Sequence, residues 1–99
     1  MELLSKYDTV KLKVLSLSHN NITCAALNNI KNNKFTCLAM LFLDHNEISN
    51  DGCFYIMRMG LPQLQTLDLT HNKIEDDGAK HLARSNLPAL RTFLICTNL

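Results

Sequence analysis

The chain has 99 residues, 46% of them hydrophobic, and a formal net charge of +1 from 10 lysines and arginines against 9 acids. That length holds one domain with a modest core, and a balanced, scattered charge argues against nucleic acid or a membrane surface as partner. The longest uncharged apolar run, Phe35 to Leu43, is too short to span a bilayer, and Met1-Glu2 opens no apolar leader.

In chain order, Met1 and Leu4 carry the spacing of a helix tail, so residues 1–11 are expected to form a partial N-terminal helix and linker. Leu12-x-x-Leu15-x-Leu17-x-x-Asn20-x-Ile22 follows. The same phrase returns as Leu38-x-x-Leu41-x-Leu43-x-x-Asn46-x-Ile48, then as Leu64-x-x-Leu67-x-Leu69-x-x-Asn72-x-Ile74. A last copy, Leu90-x-x-Phe93-x-Ile95-x-x-Asn98, ends the chain. The asparagines Asn20, Asn46, Asn72 and Asn98 step by 26 (46−20, 72−46, 98−72). Each alternating apolar stretch predicts a short strand with its leucines inward, centred on Leu15–Leu17, Leu41–Leu43, Leu67–Leu69 and Phe93–Ile95. Behind the first three asparagines, Leu27/Cys53/Ala79 and Ile30/Ile56/Leu82 have the spacing of the buried side of a helix. Asn50-Asp51 and Asp76-Asp77 stand ahead as capping oxygens, and Leu61-Pro62 and Leu87-Pro88 as stops.

A step of 20–29 residues carrying L-x-x-L-x-L-x-x-N-x-L is the wording of a leucine-rich repeat. The expected fold is an α/β right-handed solenoid, a short horseshoe of about 3.5 repeats with parallel strands concave and helices convex. Repeats fall at 12–37, 38–63 and 64–89, with a final strand at 90–99. The asparagine side chains should bond the backbone of their own and the neighbouring coil. Within this frame, LQTLDLTHNKIEDDGAKHLA (64–83) resembles the ribonuclease-inhibitor-like branch of leucine-rich repeats. It is also similar to leucine-rich-repeat effectors that intracellular bacteria deliver into host cells. The resemblance implies a protein-binding module and, from its effector side, one acting on a host protein. The first repeat departs from the pattern, with Ala26 in place of glycine and a polar Asn28-Asn29 on its helix.

The open strand positions define three rows: Val14, Met40, Thr66, Thr92; Ser16, Phe42, Asp68, Leu94; and Ser18, Asp44, Thr70, Cys96. Large apolar groups at Val14, Met40, Phe42 and Leu94, where water-facing residues belong, point to a contact surface. With Ser16, Asp44, Asp68 and Thr70 they form the expected partner-binding set, the acids offering a rim to a partner's lysine or arginine. Asp44 and Asp68 lack a cleft that would tune them for acid–base work, so no enzyme is expected. His19, His45 and His71 should stack, but an in-line column poorly matches tetrahedral ligation, so neither metal nor cofactor is expected. Cys24, Cys37 and Cys53 read as small hydrophobes and Cys96 as accessible, a usage suited to a reducing, cytoplasmic setting. The alternatives are a structural subunit forming a homodimer through its uncapped C-terminal edge, or a fragment of a longer leucine-rich-repeat protein.

Overall fold

A computed structural model describes residues 10–30, 34–84, 87–96 and 98. Four short strands, β1 (Val14–Ser16), β2 (Met40–Phe42), β3 (Thr66–Asp68) and β4 (Thr92–Leu94), alternate with three helices, α1 (Cys24–Ile30), α2 (Asn50–Arg58) and α3 (Asp76–Arg84). The strands form one parallel sheet in the order β1-β2-β3-β4. Its register is the sequence phase itself: Leu15 pairs with Leu41, Leu41 with Leu67, and Leu67 with Phe93. The middle residue of each strand turns toward the helices; Leu41 is 2% and Leu67 0% exposed.

The strands lie one residue earlier than expected, because regular pairing ends before Leu17, Leu43 and Leu69. Those residues still bond across: Leu17 N–H donates to Phe42 O at 2.8 Å, Leu43 N–H to Asp68 O at 2.9 Å, and Leu69 N–H to Leu94 O at 2.7 Å. The helix expected over Met1 to Lys6 lies outside the described residues.

Leu27, Ile30, Cys53, Ile56 and Leu82 are buried helix side chains, joined in one core with the strand leucines and with Phe35 and Leu61, whereas Ala79, expected among them, is only half-buried. The helix starts differ from expectation. Asn50-Asp51 and Asp76-Asp77 are the first residues inside their helices, not caps before them. Ser49 is the N-cap of α2, without a side-chain capping bond. Asn50 caps the next helix instead: its Oδ1 accepts Glu75 N–H at 2.9 Å and Gly78 N–H at 3.0 Å. Two of the otherwise orphaned donors at a helix start are thereby satisfied from the neighbouring coil. Cys24, one repeat earlier, lies 3.1 Å from Ser49 Oγ, so it is more than an inert hydrophobe. Gly78 is needed for this approach, since a Cβ there would sit 2.5 Å from Asn50 Oδ1 and 3.1 Å from Asn50 Cα. The stop of α2 also comes before Leu61-Pro62: Met59 N–H bonds Ile56 O, and Gly60 turns the chain at φ 61.

All four cysteines are free. Burial, with a smaller effect of the Cys24 charge, pushes the Cys53 thiol up to about 12 from 9.0, whereas Cys96 is exposed. Because the thiolate is the reacting form, iodoacetamide at pH 8 should modify Cys96 in the native protein and Cys53 only after unfolding. Peptide mass mapping checks this, and early modification of Cys53 would contradict its burial. Since the Cys53 pKa is raised in the fold, its contribution to stability is complete below pH 9.0 and declines as pH rises toward 12.

Candidate protein-interaction surface

The face of the sheet opposite the helices carries the side chains flanking each buried strand residue. Register aligns Val14, Met40, Thr66 and Thr92 in one row, and Ser16, Phe42, Asp68 and Leu94 in the next. Val14 is 50%, Met40 40% and Leu94 42% exposed, while Phe42 is half-buried. Parallel pairing therefore brings Val14, Met40 and Phe42 together on neighbouring strands. Leu94 joins the Phe42 row with Asp68 between them.

The polar positions are held in fixed poses. Ser18 Oγ–H donates to Asp44 Oδ1 at 2.6 Å, and Asp44 Oδ2 lies 3.1 Å from His45 Nδ1. The Ser18 bond is the main reason the Asp44 carboxyl titrates below its ordinary value of 3.8; burial opposes this, and His45 reinforces it. Asp68 Oδ1 accepts the Thr70 N–H at 3.0 Å and the Thr70 hydroxyl at 2.9 Å. Each carboxylate is thus anchored by a different neighbour rather than paired with the other.

Beyond the strands, His19, His45 and His71 occupy left-handed backbone at φ 58, 57 and 55. Histidine, like asparagine and aspartate, is among the side chains that tolerate this region. The imidazoles stack, with centroids 4.1 and 4.2 Å apart and planes 17° and 21° from parallel. Three ladder asparagines sit behind them. Asn46 Oδ1 accepts the N–H groups of Asn20 and Ile22, both at 2.9 Å, while its Nδ2 donates to Leu17, Leu43 and Asp44 carbonyls. Asn72 takes the N–H of Ile48, and Asn98 that of Ile74. Asn20 departs from the ladder role expected of it. It is exposed, and its Nδ2 donates to Ser18 O within its own coil.

Sequence reasoning located the histidine column but missed the left-handed backbone beneath it, the Ser18–Asp44 clasp and the cross-coil cap by Asn50. The clasp joins residues 26 apart and the cap residues 25 and 28 apart, so the repeat period was the available signal.

A Leucine Rich repeat family model matches residues 61–83, and a second, Leucine Rich Repeat, matches residues 11–40. Together with the parallel sheet and its asparagine ladder, these matches identify the chain as a leucine-rich-repeat protein. Domains of this class generally mediate protein–protein contact and are typically non-enzymatic, and no catalytic family is matched. Neither a curated protein nor a solved structure matches the chain.

Proposed function

We propose that this chain is a right-handed solenoid of about 3.5 repeats whose concave sheet face binds a partner protein. The observation that carries the reading is the apolar group Val14, Met40 and Phe42 on adjacent strands, beside the anchored carboxylates of Asp44 and Asp68. Exposed apolar side chains gathered on one rigid face favour an interface, and a central aromatic has the character of a binding hot spot. Ser16, Thr70 and Leu94 complete the contact set. A partner that inserts an apolar side chain and sets a lysine or arginine against the acids would fit. The similarity of residues 64–83 to effector repeats supports a host protein as that partner. The free thiols support a cytoplasmic setting, of the host cell if the chain is an effector.

Capture from cytosolic lysate with wild type, the Met40→Ala/Phe42→Ala double variant and the helix-face control Lys80→Ala tests this. Wild type and Lys80→Ala should retain one stoichiometric foreign protein and the double variant should lose it. Each strand-face truncation is expected to cost about 2 kcal/mol of binding, with less than about 0.5 kcal/mol of folding stability. Equal capture by all three, or an unfolded double variant, overturns the assignment. A second reading rests on β4, which among the described residues pairs with β3 alone and carries exposed Leu94. Such an edge favours strand addition by a second copy. A dimer whose dissociation responds to Leu94→Lys in light scattering would support it, and a strict monomer would reject it.

A further inference from the structure

We propose that His19, His45 and Asp44 form a binding site for a borderline divalent transition-metal ion, with Zn2+ as the ion best matched. Their ligand atoms all lie within 4.8 Å of one another. The column alone argued against a metal, because parallel rings direct their lone pairs along parallel lines. Asp44 changes that geometry. It places a carboxylate oxygen beside the stack, 3.1 Å from His45 Nδ1, and so supplies a donor off the column axis. Two imidazole nitrogens and one carboxylate, with a position left for water, make a recurrent donor set for zinc. Nitrogen donors disfavour Ca2+ and Mg2+, which take oxygen ligands.

Much of the site is preset by the fold. His19 N–H donates to Asp44 O at 3.1 Å and His45 N–H to Thr70 O at 2.9 Å, fixing the backbone from which the two rings project. Ser18 holds Oδ1 of Asp44 at 2.6 Å and leaves Oδ2 bonded to His45 Nδ1 at 3.1 Å, where a bound ion would take the place of the proton between them. That is the arrangement of an outer hydrogen bond orienting a metal ligand. Zinc–nitrogen and zinc–oxygen bonds of about 2.0–2.2 Å require the donors to close in and the stacked rings to tilt. His19 and His45 are exposed, so their side chains have room to do so. His71 stacks on His45 equally closely, but Thr70 stands where Asp44 stands in the preceding coil. The pair His45–His71 therefore lacks the third donor, and the site is specific to one junction of the solenoid.

Calorimetric titration of the free chain with ZnCl2, read alongside imidazole nitrogen NMR, tests the site without any partner protein. One equivalent should bind, with shifts at His19 and His45 and none at His81. His45→Asn and Asp44→Asn should each weaken binding at least tenfold; asparagine suits the left-handed backbone at 45 and keeps an acceptor for Ser18 at 44. Ser18→Ala should weaken it by about 10-fold as the loss of an orienting bond, and His71→Asn by less than threefold. Circular dichroism establishes that each variant is folded. No saturable binding, affinity unchanged in His45→Asn or Asp44→Asn, or affinity lost in Cys96→Ser would each overturn the proposal.

Discussion

Asn46→Ala is expected to cost about 3–5 kcal/mol of folding stability, because each buried group left unpaired costs about 1–3 kcal/mol. Alanine would strand the N–H groups of Asn20 and Ile22 and remove the donor shared by three carbonyls. The groups belong to two successive coils, so the damage is to their junction and not to one turn. Asn20→Ala is the matched control: its side chain is exposed and donates to Ser18 O alone among the described bonds. It should shift stability by less than about 0.5 kcal/mol, as an ordinary surface change does. Urea unfolding followed by circular dichroism measures both. Equal midpoints for the two variants would show that the ladder contributes little.

Leu67→Ala should cost about 2–5 kcal/mol, through lost burial and the cavity left behind. Leu67 is 0% exposed and lies between Leu41 and Phe93 in the sheet, so strands on both sides resist collapse into the gap. Thr66, its neighbour in the same strand, faces the other way and is half-buried. Thr66→Ala should therefore stay within about 0.5 kcal/mol of wild type. Both variants can be compared by urea midpoint at a common pH. A Thr66 effect as large as that of Leu67 would mean that the two faces of the sheet are misassigned.

Strand faces and register were legible because inward leucines alternate with period 2 inside a phase that never slips. Every partner in the sheet, from Leu15–Leu41 to Leu67–Phe93, is a pair separated by one repeat. The helix starts were less legible. Asn50 and Asp76 have the composition of local caps, but Asn50 Oδ1 is used by the following coil, where Gly78 lets it approach. Local propensity describes what a residue offers, whereas stacking determines which backbone receives it. Leu61-Pro62 likewise has the composition of a helix stop, but α2 ends at Arg58 and Gly60 takes φ 61 ahead of it. At the candidate surface, the exposed positions of Val14, Met40 and Leu94 followed from alternation. The posture of Asp44 did not, since it depends on a hydroxyl from the previous coil. Asn20 misled because the motif gives it the same letter as Asn46 but not the same neighbours.

The direction of the asparagine bonds bears on synthesis. Ile22 is completed by Asn46, Ile48 by Asn72 and Ile74 by Asn98, in each case by a residue 24 positions later. A ribosome delivering the chain from its N-terminus therefore releases each coil before the side chain that closes it has emerged. At about 5–20 residues per second, each coil waits roughly 1–5 s for its successor. Folding during translation should trail emergence by one whole repeat, and a nascent chain arrested with Ile48 outside the ribosome and Asn72 still within it should leave the Ile48 amide open to exchange.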